Sequence, residues 1–137
     1  MRIFVDTGAL IAVADVSDQH HRDAADFVTL ELGRFQQVTI NFVLCETLNF
    51  LRTRSGYNAA LQVGQRLRRG KGIQLVRVTL EIENLAWDLF TRYRDKDVSF
   101  TDCTSFVIRR QMEILQAFTF DSHFEQAGFQ LWPGMNP

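Results

Sequence analysis

Four acidic residues in the 137-residue chain occupy positions from which their carboxylates could act on one ligand: Asp6, Glu46, Asp102 and Asp121. The first and the last directly follow apolar runs, Arg2–Val5 and Leu115–Phe120, which have the composition of buried strands. The other two lie near the starts of predicted helices. Ligands of an open parallel sheet bind outside the carboxyl ends of its strands, so we expect all four carboxylates to meet at one edge of the sheet.

Carboxylates brought together in this way need a partner of opposite charge. Two carboxylates about 4 Å apart repel each other by roughly 4 kcal/mol at an effective dielectric constant of about 20. Four of them stay ionised only if a cation neutralises them, and otherwise their pKa values must shift. Sites made of oxygen ligands favour hard cations such as Mg²⁺ or Mn²⁺, which keep waters that phosphate oxygens can replace. The pattern therefore indicates phosphoryl-transfer chemistry on nucleotides or nucleic acids.

Each acid also has a purely structural alternative. Ser99 and Asp102 have the spacing of a helix capping box, in which the aspartate satisfies the backbone N–H of the serine. Asp121 could cap the short helix that follows it, and Asp6 could cap the first helix in the same way. Glu46 could be a solvated residue on the surface of its helix. The residues alone leave these alternatives open beside the metal site.

The elements that must position the acids alternate along the chain. Short β-branched or aromatic runs are separated by longer segments with helical periodicity. The pattern predicts strands at 2–5, 38–40, 73–78, 115–120 and 129–132, and helices at 7–14, 22–32, 42–55, 57–69, 80–94, 101–113 and 122–127. Strands that alternate with helices form a mostly parallel sheet covered on both faces, which is an α/β fold. We expect one domain over 1–132 and a flexible tail over 133–137.

The composition is that of a folded domain. Hydrophobic residues make up 46% of the chain, and the formal net charge of −1 excludes a uniformly basic nucleic-acid coat. The apolar run Gly8–Ala14 is far shorter than the roughly 20 residues of a membrane helix, and Asp6 interrupts any signal-peptide core. Two cysteines do not make a secreted disulfide scaffold, so we expect Cys45 and Cys103 to be reduced and buried. We therefore predict a cytoplasmic protein without a membrane segment.

Basic residues concentrate in one stretch of the chain. Between Thr47 and Leu80 there is no aspartate or glutamate, although seven of the fifteen basic residues fall there. Such a patch could neutralise the phosphates of RNA beside an acidic centre. The residues that we assign to it are Arg52, Arg54, Arg66, Arg68, Arg69 and Lys71. A solvated helix face and a surface for an acidic protein partner are the alternatives.

The histidines and the large aromatic residues indicate structure rather than chemistry. The spacing of His20, His21 and His123 does not match a zinc site, so we expect these side chains on the surface or in turns. The aromatic residues that we assign to the core or to a dimer interface, rather than to base stacking, are Phe27, Phe35, Trp87, Phe90 and Tyr93.

Four segments together resemble the signature of the PIN-domain family. They are Ile3–Thr7, Val43–Leu48, Ser99–Cys103 and Phe118–Phe124, and each contains one of the four acids. Their order, spacing and local context agree with the family from residue 2 to about residue 132. Within the family, the chain is most similar to the single-domain, VapC-like ribonucleases of bacterial toxin–antitoxin pairs.

The resemblance implies a three-layer α/β/α fold and a Mg²⁺- or Mn²⁺-dependent endoribonuclease that cuts single-stranded regions of RNA. The residues that would form the family's acidic quartet and hold the metal are Asp6, Glu46, Asp102 and Asp121. The hydroxyl residues that the resemblance places beside these acids are Thr7, Ser99 and Thr101. It further implies a cognate antitoxin protein as partner, and a homodimer.

Three other functions are compatible with parts of the pattern. A non-catalytic RNA-binding or assembly module with a PIN-like fold is expected to lack one or more of the acids, and all four are present. A phosphohydrolase of the haloacid dehalogenase type needs a second aspartate two residues after the first, where this chain has Gly8. A phospho-receiver domain needs a lysine late in the chain, and no lysine follows Lys96. The nuclease is therefore our prediction, with the non-catalytic module as its alternative.

Overall fold

Five parallel strands form the central sheet of the protein. The computed structural model describes residues 1–94 and 96–134, and its strands are β1 (Arg2–Val5), β2 (Gln36–Ile40), β3 (Ile73–Val76), β4 (Gln116–Phe118) and β5 (Gln130–Trp132). Its helices are α1 (Thr7–Ala14), α2 (His21–Leu30), α3 (Asn41–Arg54), α4 (Tyr57–Arg69), α5 (Leu80–Arg92), α6 (Phe100–Met112) and α7 (His123–Gln126). A 3₁₀ turn over Leu32–Arg34 precedes β2. Each strand pairs in parallel with its neighbours, so the predicted α/β class is confirmed.

The first strand lies in the middle of the sheet, because the strand order is β3-β2-β1-β4-β5. Phe4 of β1 pairs with Val38 of β2 on one side and with Ala117 of β4 on the other. The chain thus runs outward from β1 through β2 to β3, and then continues on the opposite side of β1 with β4 and β5. The crevice at the carboxyl ends of two strands where the winding reverses is the usual ligand site of such sheets. Here that crevice lies between β1 and β4.

Alternation along the central strand sends its side chains into two separate cores. Ile3 and Val5 pack with residues of α1, α2 and α4, among them Phe27. Phe4 points to the opposite face and packs with residues of α5, α6 and α7, among them Phe106 and Phe124. These three side chains are buried, whereas Arg2, the first residue of β1, is exposed. The two cores make the predicted three layers, with the sheet between two groups of helices.

Two glycines set the geometry of the helix pair α3 and α4. Gly56, between the helices, has a φ of +97°, which residues with a Cβ rarely adopt. A Cβ on Gly64 would lie 3.1 Å from Leu48 Cδ2, so the glycine allows α4 to approach α3 closely at this point. The pair carries five of the six residues that we assigned to RNA binding, in the last turns of the two helices.

The predicted element bounds agree with the structure within two residues, and one difference affects the acids. Strand β4 ends at Phe118 rather than at Phe120, although the Thr119 N–H still donates a hydrogen bond to the Trp132 carbonyl of β5 at 3.1 Å. Asp121 therefore lies on a short connection between β4 and α7. From this connection, the carboxylate of Asp121 approaches Asp6 at the end of β1.

The burial of two groups of residues differs in part from the prediction. Cys45 is exposed, so its predicted burial is wrong, whereas Cys103 is buried and burial raises the pKa of its thiol to about 11. Phe27 and Phe35 belong to the core as predicted. Tyr93 packs against the core, and Trp87 and Phe90 are 56% and 37% exposed, which leaves for these two the other half of the prediction, a dimer interface.

The carboxyl-terminal part of the chain follows β5. Pro133, joined to Trp132 by a cis peptide bond, is half-buried, and Gly134 is exposed. The remainder of the predicted tail, residues 135–137, lies outside the described residues. In the described ranges, no helix has the length and apolar character needed to span a membrane.

Candidate functional site

One cavity at the carboxyl edge of the sheet is lined by all four predicted acids. Its volume is about 390 Å³. Its walls come from the start of α1, from α3, from the start of α6 and from the connection after β4. The lining residues are Asp6, Thr7, Gly8, Ile11, Glu46, Phe50, Ser99, Asp102, Phe120 and Asp121. The structure thus brings the four carboxylates to the switch point between β1 and β4.

Asp6 is held by a residue from the other end of the chain. It occupies the N-cap position of α1, but its side chain makes no capping hydrogen bond, so the helix-cap alternative is wrong for this residue. Instead, Thr119 Oγ1 donates a hydrogen bond to Asp6 Oδ2 at 2.9 Å. The same hydroxyl accepts a hydrogen bond from the Asp121 backbone N–H at 3.1 Å. One hydroxyl therefore links the carboxyl ends of β1 and β4.

The Asp6 carboxyl is difficult to ionise where it lies. The residue is only 6% exposed. Its pKa is raised from 3.8 to about 7, mainly by burial and then by the negative charges of Asp102 and Asp121. Hydrogen bonds from Thr119 and from the Thr7 backbone act in the opposite direction. A carboxylate kept in so unfavourable a place is characteristic of a functional site rather than of a structural ion pair.

Asp102 has both a structural and an electrostatic role. Its Oδ2 accepts a hydrogen bond from the Ser99 backbone at 3.2 Å, and Ser99 Oγ accepts one from the Asp102 backbone at 3.0 Å, so the predicted capping box is present. The pKa of Asp102 is nevertheless raised to about 6, mainly by burial, with contributions from Asp121 and Glu46. The capping box fixes one carboxylate oxygen. Because an ionised carboxylate has about four acceptor sites, the side chain keeps acceptor capacity toward the cavity.

Asp121 is oriented by the first residue of α7. Its Oδ1 accepts a hydrogen bond from the His123 backbone N–H at 2.9 Å and lies 2.8 Å from His123 Nδ1. Asp121 therefore does interact with the start of the short helix, as the capping alternative proposes, while it also lines the acidic cavity. The ring of His123 fixes the direction of this carboxylate.

Glu46 is the most solvent-accessible of the four acids. It lies on the second turn of α3 and is exposed, in agreement with the solvated alternative. It also lines the cavity and is near enough to Asp102 to raise the pKa of that residue. Phe50 lies one turn farther along the same helix and forms an apolar part of the cavity wall.

The donor atoms of the cavity fit a hard divalent cation. They are oxygens of carboxylates and hydroxyls, which suit Mg²⁺ or Mn²⁺. Among the described residues, Thr7 Oγ1 is buried without a hydrogen-bond partner. In residues 1–94 and 96–134, no three His, Cys, Asp or Glu side chains converge closely enough to enclose an ion by themselves. This arrangement suits an ion that is held by one or two carboxylates and keeps several waters, as Mg²⁺ does.

The hydroxyl residues near the acids are partly those that the sequence indicates. Thr7 and Ser99 line the cavity. Thr101 does not line it, and its backbone carbonyl accepts a hydrogen bond from Thr104 within α6. The residue that sequence analysis missed is Thr119. Its position two residues before Asp121 was the available signal, because a hydroxyl at that spacing commonly bonds to the backbone two residues on.

Three of the six predicted RNA-binding residues surround one groove. Arg52, Arg68 and Arg69 line an open space of about 600 Å³ between α3 and α4, which we call the α3–α4 groove. Tyr57, at the start of α4, lies at the same groove and is 58% exposed.

The other three basic residues lie elsewhere. Arg66 and Lys71 line a crevice of about 90 Å³ between α4 and the helices α1 and α2. Arg54 lies on α3 with its Nε 3.7 Å from Asp15 Oδ2. The basic stretch of the sequence is therefore not one continuous patch in the structure.

Comparison with protein families gives one match over almost the whole chain, to the PIN domain, at residues 3–130. Among characterised proteins, the chain is 33% identical over 127 residues to the 23S rRNA-specific endonuclease VapC20 of Mycobacterium tuberculosis, in the strains H37Rv and CDC 1551. The match covers 93% of this chain and 95% of that protein.

Solved structures give a similar result. The crystal structure of M. tuberculosis VapC20, described as a toxin that cleaves the sarcin–ricin loop, superimposes with a TM-score of 0.86 and 32% identity. That match covers 93% of this chain and 96% of the other. A toxin–antitoxin complex from Klebsiella pneumoniae matches with a TM-score of 0.59 and 16% identity, covering 88% of this chain and 87% of that one, which is a likeness of fold.

Proposed function

The chain belongs to the PIN-domain family, and from this membership we propose that it is a divalent-metal-dependent endoribonuclease, the toxin of a toxin–antitoxin pair. The observation that carries the proposal is the convergence of four carboxylates on one cavity around the buried carboxyl of Asp6. The non-catalytic alternative gives no reason to keep so costly a cluster of acids.

The proposed substrate is an unpaired loop of RNA. The VapC20 relative is specific for 23S rRNA, and at 33% identity over 93% of this chain it supports ribosomal RNA as the substrate class here. An enzyme with such a substrate acts in the cytoplasm. We assign the activity to one domain over residues 1–132, because the strands that frame the site extend from Arg2 to Trp132.

The proposed metal-binding residues are Asp6, Glu46, Asp102 and Asp121, with Asp6 and Asp102 as direct ligands and Glu46 and Asp121 acting through the waters of the ion. When bound, a divalent cation neutralises charge on the phosphate and lowers the pKa of a coordinated water. The protein's contribution is to orient the carboxylates before substrate arrives. Thr119 fixes Asp6, and His123 fixes Asp121, each through one carboxylate oxygen. Attack by an external water leaves a 5′-phosphate and a 3′-hydroxyl.

The first test is cleavage of 23S rRNA and of a mixed RNA pool by the purified protein with Mg²⁺, Mn²⁺ or EDTA. We expect cutting that requires the metal and leaves 5′-phosphate ends. A 2′,3′-cyclic phosphate on the products would contradict attack by water, because it indicates the RNA's own 2′-hydroxyl as nucleophile. RNA binding without cutting under every condition would support the non-catalytic module.

Replacing Thr119 by valine should lower activity without unfolding the protein. Valine has nearly the shape of threonine but can neither donate to Asp6 nor accept from the Asp121 backbone. We expect kcat/KM to fall about 10- to 100-fold, the usual effect of removing a partner that orients a metal ligand. The Mn²⁺ concentration needed for half-maximal rate should rise, and Thr119→Ser should restore both values. A Thr119→Ser variant as impaired as Thr119→Val would indicate that the methyl group matters instead of the hydroxyl.

We propose that the protein forms a homodimer and that the exposed aromatic surface of α5 is its interface. Trp87 and Phe90 have ring centroids 5.9 Å apart, and both contact Phe100 of α6, at 6.3 and 5.8 Å. Exposed apolar patches of this kind mark protein interfaces. Trp87→Glu should convert a dimer to a monomer in sedimentation experiments. Glu81→Gln, about 120° around α5 from Trp87, is the control that should leave the mass unchanged, and a Trp87→Glu dimer would show that the interface is elsewhere.

An antitoxin protein is the second proposed partner. The support is the 33% identity to VapC20, whose structure is described as that of a toxin.

A further inference from the structure

The three arginines of the α3–α4 groove are unusually free of acidic neighbours. No aspartate or glutamate occurs between residues 47 and 80, and none lines the groove. Among the described residues, no salt bridge involves Arg52, Arg68 or Arg69. By contrast, Arg54 on the same helix pair lies beside Asp15. The groove therefore has uncompensated positive charge and favours an anionic ligand.

The groove also has an aromatic and apolar interior. The guanidinium of Arg52 lies over the Tyr57 ring, 5.0 Å from its centre, so it occupies one face of the ring and holds the ring at the edge of the groove. Leu48 and Leu61 supply apolar surface between the helices. Tyr57, Leu61 and Arg68 recur at spacings of four and seven on α4, which places them along one face of the helix. A nucleotide in the groove would thus have an aromatic and apolar surface for its base and arginine side chains for its phosphate.

Helix α3 contributes residues to both the acidic cavity and the groove. Glu46 lines the cavity, and Asn49 and Arg52, three and six residues farther along α3, line the groove. At 1.5 Å per residue, six residues correspond to about 9 Å along the helix axis. A strand of RNA with its scissile phosphate at the acids therefore reaches the groove with a neighbouring nucleotide.

We propose that the α3–α4 groove binds an unpaired nucleotide of the RNA substrate, with its base against Tyr57 and Leu61 and its phosphate on Arg68 and Arg69. This inference rests on the proposed function, because it takes RNA to be the substrate. Unpaired bases are commonly recognised by stacking on aromatic or guanidinium planes and by hydrogen bonds to their edges. Asn49 and Gln65, which also line the groove, have amides suited to such edges.

A nucleotide fits this groove better than an acidic helix of a protein partner. The space of about 600 Å³ lies within the range of small-molecule pockets. A helix instead needs a long groove with a row of apolar anchor sites. In the α3–α4 groove, the close contact of Gly64 with Leu48 closes the floor, and arginines stand at the rim.

The test is RNA binding in EDTA, measured by fluorescence anisotropy with a labelled single-stranded RNA and with the same sequence as a duplex. Tyr57→Ala should weaken single-strand binding about tenfold, the usual size of a stacking loss, while Tyr57→Phe keeps it. The double variant Arg68→Ala/Arg69→Ala should weaken binding at least as much. It should also reduce the slope of log K against log salt by about 0.7, the contribution of one phosphate contact to a single strand.

Charge-matched controls separate a nucleotide site from a general effect of charge. Arg66→Ala/Lys71→Ala removes two positive charges outside the groove, and it should weaken binding much less than the groove double variant. Equal losses in the two double variants, or an unchanged affinity in Tyr57→Ala, would overturn the proposal. Groove variants that bind RNA normally but fail to bind an acidic peptide would also overturn it, in favour of a protein partner. Circular dichroism confirms that each variant is folded.

Failure of this inference is distinguishable from failure of the proposed function. Wild-type protein that cleaves RNA while the groove variants bind it normally would contradict only the groove. A second outcome is that the wild-type protein never cleaves RNA, while its RNA binding depends on Tyr57, Arg68 and Arg69. That outcome would support the nucleotide site in the groove and contradict the proposed nuclease activity.

Discussion

We expect an Asp6→Asn variant to cleave RNA more slowly than the wild type by a factor on the order of 10³. We also expect this variant to be more stable to unfolding than the wild type in metal-free buffer above pH 7. The loss of activity follows from removing the most deeply buried of the proposed metal ligands. The gain in stability follows from the cost of keeping a carboxylate in that place. Asparagine has the same size and can still accept the hydrogen bond from Thr119.

The sign of the stability change depends on pH. The folded protein holds the pKa of Asp6 at about 7, whereas the ordinary value is 3.8. Because the folded state binds the proton more tightly, the free energy of unfolding of the wild type falls as the pH rises through this window. At about 1.4 kcal/mol per pH unit, the loss is of the order of 4 kcal/mol and is complete above pH 7. The asparagine variant has no carboxyl at this position, so the difference between the two proteins disappears toward pH 4.

Thermal unfolding at pH 8 and at pH 4, in EDTA, measures this difference. We expect Asp6→Asn to melt at a higher temperature than the wild type at pH 8, by roughly 10 °C. Asp15→Asn is the matched control, because hydrogen bonds from Ser17 hold the pKa of Asp15 below its usual range and the same substitution should there destabilise the protein. A lower melting temperature for Asp6→Asn at pH 8 would show that this carboxylate stabilises the fold, and the proposed site would lose its main support.

The second large effect is stabilisation by divalent metal. Mn²⁺ or Mg²⁺ should raise the melting temperature of the wild type, since a cation relieves the repulsion among the acids and binds only the folded cavity. At a concentration a hundred times its Kd, a ligand adds about 2.7 kcal/mol to the free energy of unfolding. The stabilisation should be larger at pH 8 than at pH 5, because protons compete with the metal for Asp6 and Asp102 below their pKa values of about 7 and 6.

Two substitutions show where the metal binds. Asp102→Asn should abolish most of the stabilisation, whereas Asp97→Asn, outside the set of cavity residues, should retain it. Isothermal titration with Mn²⁺ gives the same comparison without heating. If the two variants respond equally to the metal, the ion binds elsewhere on the protein.

Much of the fold is predictable from the sequence because its local and global signals agree. The run Arg2–Val5 is apolar over a strand that is buried in the middle of the sheet, and α4 was predicted with the bounds it has, Tyr57–Arg69, because Gly70 ends its helical pattern. The positions of the four acids follow from the rule that parallel strands open their binding crevice at their carboxyl ends. Their location at one edge of the sheet is therefore predictable, whereas their convergence on one cavity depends on the pairing of β1 with β4.

What the sequence does not reveal depends on contacts between distant segments. The Thr119–Asp6 hydrogen bond joins residues 113 positions apart, and no local pattern predicts it. The sequence does not predict the exposure of Trp87 either. Helical periodicity indicates that α5 has an apolar stripe, but not that apolar residues also lie outside this stripe. The separation of the arginines into a groove and a crevice depends on how closely α3 and α4 approach each other at Gly64.

The pairing of β1 with β4 also determines when the acidic cavity can form during synthesis of the chain. The residues that complete the acidic cavity, Thr119 and Asp121, are synthesised after Asp6, and Thr119 lies 113 positions farther along the chain. Translation at 5–20 residues per second takes on the order of 10 s for this chain. During that interval the nascent chain has Asp6 but no completed site. On the proposed function, the nascent chain therefore has no nuclease activity toward ribosomal RNA until Asp121 has been synthesised and has folded beside Asp6.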